Sequence, residues 1–266
     1  MRVHSLNCGT MRPYRTPDGL VCHVLLIEGP NGLALIDAGL GLSDAAAPGR
    51  RFGGARFYVR PRFDTAEAAI NRIKNLGFDP RDVRDIVLTH FDADHTGGLA
   101  DFPWANVHLT AAENFAATHP RGTIEKGRYL PSHRAHHPNL VEHTPSQGEQ
   151  WRGFPGAEEL TDIAPGIVLI NLPGHSRGHA AVAVDAGDHW ILHVGDAFYH
   201  HAQIDGTGNV PLALTAMERL IAHDWKKVQG NHDRLTQLWK QADPDLLLVN
   251  AHCPTLLDLA RARNDN

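Results

Sequence analysis

Within Leu88-Thr89-His90-Phe91-Asp92-Ala93-Asp94-His95-Thr96-Gly97-Gly98, two histidines and two aspartates fall inside six residues. They offer only nitrogen and oxygen donors, a set suited to a catalytic divalent ion that keeps room for water. In an extended chain alternate side chains share a face, so His90, Asp92 and Asp94 can point the same way. His95 would then follow from the turn that Thr96-Gly97-Gly98 makes. Capping a helix would account for one aspartate, but not for two histidines and two aspartates so close together. The run Val83 to Leu88 just before them reads as a buried strand. The cluster therefore sits at the C-terminal end of a strand, where open α/β architectures place their sites.

Three later residues occupy comparable junctions. His175 lies in Leu172-Pro173-Gly174-His175-Ser176-Arg177-Gly178-His179, Asp196 in Leu192-His193-Val194-Gly195-Asp196-Ala197, and His252 in Leu248-Val249-Asn250-Ala251-His252-Cys253-Pro254. With these in order, the sequence resembles the metallo-β-lactamase superfamily, whose signature is His-x-His-x-Asp-His followed by three such ligands. The resemblance runs from Val21 to His252. One departure matters: the family's second histidine is Asp92 here, giving His-x-Asp-x-Asp-His.

Seven ligands are too many for one tetrahedral ion and suit two. The resemblance implies His90, Asp92 and His175 on one divalent ion, Asp94, His95 and His252 on the other, and Asp196 bridging. Three carboxylates would cancel most of the charge of the pair. Zinc is the expected metal; the harder oxygen ligand Asp92 also favours manganese or iron. It equally allows a weak first position and one tightly held ion. Such a centre lowers the pKa of bound water toward about 7 and polarises a carbonyl or phosphoryl oxygen. The expected activity is hydrolysis by a metal-bound hydroxide.

Asp94 and Tyr199 are the expected catalytic residues. Tyr199 stands in Asp196-Ala197-Phe198-Tyr199 and resembles the Asp-x-x-Tyr of the N-acyl-homoserine lactonase branch, where the phenol faces the substrate. There it could hydrogen-bond a developing oxyanion; the alternative is a ring packed at a strand end. A lactone or carboxylic ester is thus the expected substrate. A thioesterase of glyoxalase II type is an alternative, although the segment 256–266 has only Arg261 and Arg263 as basic residues. A mononuclear iron persulfide dioxygenase is another, needing fewer carboxylates. Asp37, in Asp37-Ala38-Gly39, resembles a family position that supports the ligands rather than joining them. His179 resembles a buried structural position. His108, His193, His200 and His201 read as packed or exposed side chains.

Composition narrows the partners. The 42% hydrophobic and 21% charged content is that of a soluble globular protein. A net charge of −5 gives no general attraction to nucleic acid or anionic membrane. No apolar run is long enough to span a bilayer. Met1 to Cys8 has no signal-peptide core, and Cys8, Cys22 and Cys253 cannot all pair, so a cytoplasmic protein with reduced thiols is expected. The implied partner is a small-molecule substrate. A homodimer is compatible with these features.

The elements that must position the ligands follow in order. Val3 to Leu6 is a short strand, and Asn7 to Gly19 a loop. Leu20 to Glu28 and Leu33 to Ile36 form a hairpin. Residues 41–63, with Phe52, Phe57, Tyr58 and Phe63, are either a surface loop or a flap that gives the site an apolar wall. Asp64-x-x-Glu67 starts a helix that Gly77 closes after Leu76. Val107 to Leu109 is a strand, and Thr110-x-x-Glu113 caps a helix to Thr118. Residues 119–151, with His119, His133, His136, His137 and His143, lack a strand or helix period and read as a polar lid or outer loop. Further strands are Ile167 to Leu172, Ala180 to Val184, Trp190 to Val194 and Asp245 to Val249. Pro211 to His223 and Asn231 to Gln241 are helices, the second with Asn231 as N-cap, and Pro254 opens a terminal one. Periodicity supports α/β or α+β in one domain over 1–266. The resemblance implies an αββα sandwich of two mixed sheets flanked by helices.

Overall fold

The computed structural model describes residues 1–145 and 149–264; residues 146–148 of the expected lid and the last two of the segment 256–266 lie outside the described residues. The described strands form two sheets in which spatial order follows chain order. The first holds β1 (Arg2–Met11), β2 (Leu20–Gly29), β3 (Gly32–Ile36), β4 (Val83–Val87), β5 (Asn106–Thr110) and β6 (Asn139–His143). The second holds β7 (Glu149–Trp151), β8 (Phe154–Glu159), β9 (Ile167–Asn171), β10 (Ala180–Asp185), β11 (Trp190–His193) and β12 (Leu246–Val249). Both sheets are mixed: antiparallel from β1 to β3 and parallel from β3 to β6, then antiparallel from β7 to β11 with β12 parallel to β11.

Alternation along β2 explains the layers. Leu25 and Ile27 pack with Ile170, Val182 and Val184 of the second sheet. Val24 and Leu26 face the other way, into a cluster with Ile73 and Ala116 of helices Ala69–Asn75 and Ala111–Thr118. A strand covered on both faces reads as a continuous apolar run, as Leu20 to Ile27 does. Helices Trp225–Lys240 and Pro254–Asn264 join the core through Leu235, Leu238, Leu256 and Ala260. This is the expected pair of mixed sheets flanked by helices. No helix among the described residues is long and apolar enough to cross a membrane.

Local expectations needed correction where long-range contacts overruled local signals. β1 does not stop at Leu6: pairing with β2 slips between Asn7 and Thr10 and then resumes. The Asn-Cys-Gly-Thr run is a bulge there rather than a loop. A Cβ on Gly9 would lie 2.6 Å from Leu40 Cγ, so the close approach of chain 40 requires glycine. After the Asp64 cap, a 3-10 turn at Thr65–Glu67 precedes the helix proper. The helix expected to start at Asn231 starts at Trp225, capped by Asp224; Asn231 lies inside it, and its Nδ2 donates to the Pro173 carbonyl at 3.1 Å. The 119–151 stretch is not one irregular loop: it contains helix Gly122–Arg128 and the edge strand β6. An edge strand with mostly half-exposed residues has no apolar alternation to detect. Residues 41–63 hold three short helices, Leu42–Ala46, Pro48–Phe52 and Arg56–Val59.

Candidate metal centre

Every candidate ligand lies just beyond a strand. After β4 the chain presents His90 and Asp92, and Ala93–Thr96 then makes one helical turn with Asp92 at its N-cap. Asp94 is therefore aimed by a helical turn, not by the extended alternation expected, and His95 comes from that same turn. His175 follows β9, Asp196 follows β11 and His252 follows β12. Gly195 takes a φ of +51°, and a Cβ there would lie 2.7 Å from His179 Nε2. The turn that delivers Asp196 thus needs glycine. Asp196 N–H donates to that same His179 Nε2 at 3.0 Å, while His179 Nδ1–H donates to the Leu172 carbonyl. Burial and the neighbouring His90 and His175 hold the His179 imidazole well below its usual pKa, which suits this neutral role.

The seven side chains converge in two groups. His90, Asp92, His175 and Asp196 can each present a donor atom within 4.8 Å of the others; so can Asp94, His95 and His252. Asp196 straddles them. Its Oδ1 lies 2.9 Å from His252 Nε2 and 3.1 Å from His95 Nε2. Its Oδ2 lies 3.6 Å from His175 Nε2 and 3.8 Å from His90 Nε2. Asp92 Oδ2 is 3.0 Å from His175 Nε2 and 3.4 Å from His90 Nε2, and Asp94 Oδ2 is 3.5 Å from His252 Nε2.

The histidines turn Nε2 inward and are held from behind at Nδ1. His95 Nδ1 bonds Asp37 Oδ2 at 2.8 Å, and His252 Nδ1 donates to the Val21 carbonyl at 2.8 Å. His90 Nδ1 bonds Thr89 Oγ1 at 3.0 Å, and that hydroxyl donates to Asp37 Oδ2 at 2.9 Å. Such partners fix tautomer and ring orientation in metal sites. Asp37 thus supports His90 and His95, the place expected for it.

The inward atoms test whether the site fits an ion. His90 Nε2, His95 Nε2 and Asp196 Oδ1 are buried and make no aligned hydrogen bond. Buried polar atoms left unpaired are costly, and here they converge on shared points. The donor set, the facing geometry and the unmet valences fit the binding of divalent metal. Burial pushes the Asp196 carboxyl up, but His252, His95 and His90 more than reverse this and hold it well below the usual range. Asp92 is likewise held well below it: burial pushes its carboxyl up, but Arg128, then His90 and His175, more than reverse this.

Two residues that sequence reasoning missed brace this centre. Glu113, expected to reach back in a helix cap, is fully buried elsewhere. Its Oε1 accepts from Phe91 N–H and the Tyr129 hydroxyl, both at 3.0 Å, and its Oε2 from Ser176 Oγ at 2.7 Å and Gly178 N–H at 2.9 Å. One carboxylate thus ties the His90 loop to the His175 loop. Arg128, from the stretch read as a lid, lies with Nε 3.3 Å from Asp92 Oδ1. The replacement of a histidine by Asp92 was the signal that could have prompted a search for such a cation.

A profile of the metallo-beta-lactamase superfamily matches residues 17–248. The chain belongs to that superfamily. A probable metallo-hydrolase of Mycobacterium tuberculosis is 50% identical over 98% of this chain and 83% of its own length. An N-acyl homoserine lactonase of Agrobacterium fabrum is 28% identical over 69% of this chain and 66% of its own. A solved N-acyl homoserine lactone hydrolase with N-hexanoyl-L-homoserine at its catalytic metal centre matches with a TM-score of 0.66, at 20% identity, over 95% of this chain and 93% of that one. The protein is a metallo-hydrolase of the metallo-beta-lactamase superfamily.

The centre of this metallo-hydrolase opens onto a cavity of about 730 Å³. Asp92, Asp94, Asp196, Tyr199 and His252 border it on one side, and Phe52, Tyr58, Val59, Ile124, Met217 and Ile221 are among its apolar walls. The 41–63 stretch is therefore both things foreseen: Phe52 is buried beside Tyr199, Tyr58 lines the cavity, and Phe57 is exposed. Tyr199 is buried, with its hydroxyl donating to Asp196 Oδ2 at 2.7 Å. The other histidines serve elsewhere. His108 bonds Asp85 and His143, His193 bonds the His23 carbonyl, and His201 bonds Asp205. His133 bonds Thr96 Oγ1 and the Arg51 carbonyl, bracing the turn that carries Asp94 and His95.

Proposed function

We propose that this metallo-hydrolase opens a lactone ring or cleaves a carboxylic ester that carries an apolar acyl portion. One observation carries the reading: a largely apolar cavity meets the two ligand groups at Asp196. His90, Asp92 and His175 would hold one divalent ion, Asp94, His95 and His252 the other, with Asp196 between them. When bound, such a pair supplies hydroxide at neutral pH and polarises the attacked carbonyl. Zinc is the metal proposed first, and Asp92 leaves room for manganese or iron.

The chain's own residues do the rest. The apolar walls take the acyl portion and exclude water from it. Arg128 is the one cationic side chain among the described residues lining the cavity, and it is already paired with Asp92. An uncharged substrate is favoured, since an anionic head group would find no free cation. Tyr199 offers its hydroxyl proton to oxygen charge that develops beside Asp196. Asp94, whose carboxylate borders the cavity, is placed to pass a proton to the leaving oxygen. The name of the Agrobacterium fabrum relative supports the lactone over other esters.

The test is a panel of N-acyl homoserine lactones of increasing chain length, a simple ester, a thioester and a phosphodiester, with metal-replete protein. Lactone or ester turnover that improves with acyl length is expected. Turnover of the thioester or the phosphodiester alone would retire the lactone and ester reading and leave the metallo-hydrolase.

A further inference from the structure

Asp92 poses a charge problem. It and Asp196 put two carboxylates into one buried ligand group with only His90 and His175 beside them. The structure places one buried cation against it. Arg128 ends helix Gly122–Arg128, and its side chain is 6% exposed. Its Nε lies 3.3 Å from Asp92 Oδ1, an ion pair not aligned as a hydrogen bond. The other guanidinium nitrogens are spoken for: Nη1 donates to the His175 carbonyl at 3.0 Å and Nη2 to the Ile221 carbonyl at 2.8 Å. The guanidinium is thus fixed from three sides, and Ile221 ends helix Leu212–Ile221, whose C-terminal carbonyls favour a cation. Asp92 Oδ2 stays turned toward His90 and His175.

We propose that Asp92 and Arg128 work as one ligand unit: the guanidinium offsets the carboxylate's charge and occupies the side of Oδ1, so the first ligand group receives a single oxygen donor with little net charge. Arg128 is a positioning residue on this account, acting through Asp92 and through the His175 carbonyl. The pair does the electrostatic work of an imidazole while presenting a hard oxygen. It follows that Asp92 and Arg128 are interchangeable with a neutral pair, whereas replacing either one alone changes the charge that the ion meets. A histidine at 92 beside an unpaired Arg128 would face the ion with an uncompensated positive charge. This inference rests on the proposed ion pair.

The experiment compares the parent with Asp92→His, Arg128→Met and the double variant. Each is titrated with manganese or zinc against a competing chelator, and its metal-free melting point is recorded. Asp92→His should weaken one of the two ions by about tenfold or more, and adding Arg128→Met should recover most of that loss. Arg128→Met alone should tighten that ion and raise the preference for manganese over zinc, because Asp92 can then swing both oxygens and its full charge to the ion. Should Arg128→Met not fold, Arg128→Gln, whose amide can still donate to one of the two carbonyls, should give the same recovery. A double variant that binds no better than Asp92→His alone, with Arg128→Met itself weakening the ion, makes Arg128 a structural prop only and overturns the unit. A parent that binds no divalent ion overturns the metal reading and this inference together; a parent that binds ions with no recovery overturns this inference alone.

Discussion

The Tyr199 hydroxyl donates a 2.7 Å hydrogen bond to Asp196 Oδ2, the oxygen turned toward His90 and His175. The phenol ring stacks on His252, with planes 9° apart and centroids 5.3 Å apart. Burial, then the charge of Asp196, push the phenol well above its usual pKa, so it remains a proton donor. Tyr199→Phe should keep the stack and remove only the donor. We expect its catalytic rate on a lactone or ester to fall roughly 10- to 1000-fold, the scale of one oxyanion donor. Metal content by elemental analysis should be unchanged. Unchanged lactone turnover would show that the hydroxyl only orients Asp196.

Asp196 faces both groups, so its loss should be felt at both. Asp196→Ala is expected to bring metal content below one ion per chain and activity down by several orders of magnitude. Far-ultraviolet circular dichroism should remain near native, because the residue sits in a loop beyond β11. Elemental analysis at or near the parental stoichiometry would remove Asp196 from the bridging position.

Glu113 carries four hydrogen bonds from two backbone N–H groups and two hydroxyls. Glu113→Ala strands buried donors in both ligand loops and should cost on the order of 3 kcal/mol or more. Chemical denaturation of the metal-free protein measures this directly. Glu113→Gln should also be destabilised, because its amide NH2 would meet two donors. A loss within the scatter of a surface substitution would mean that the loops are held some other way.

His133 gives a pH signature. Burial first, then Arg51, push its imidazole down to about 4. Above pH 6.5 neither state is protonated there. Between 6.5 and about 4 the unfolded chain takes up a proton that the folded chain refuses, so stability falls as pH falls through that window. The contribution is roughly 3 kcal/mol at most. His133→Gln should flatten this part of the stability curve by about one proton's worth, with a residual slope from His179 and His193, which burial also holds low. Denaturation midpoints from pH 7 to pH 4 with the same slope as the parent would contradict it.

By itself the sequence determined the candidate ligands and their order, because each follows an apolar run within a few residues, and such spacing is a property of the local chain. The strands that carry them were legible for the same reason: Leu20 to Ile27 and Ile167 to Leu172 are runs that only a strand covered on both faces requires. Tertiary structure alone decided what stands behind the ligands. Arg128 is 36 residues from Asp92, and Glu113 is 63 from Ser176 and 22 from Phe91. No local pattern ties them together, since a charge pair or a buried carboxylate leaves no periodicity. The edge strand β6 and the short helix before it escaped notice because half-exposed elements need no apolar face. Asp94 was aimed by a helical turn instead of a strand, since capping by the backbone at Asp92 outweighs alternation over so few residues. Which oxygen of Asp196 faces which group depends on how β4, β9, β11 and β12 bring their ends to one place, and that comes from the packing of two sheets.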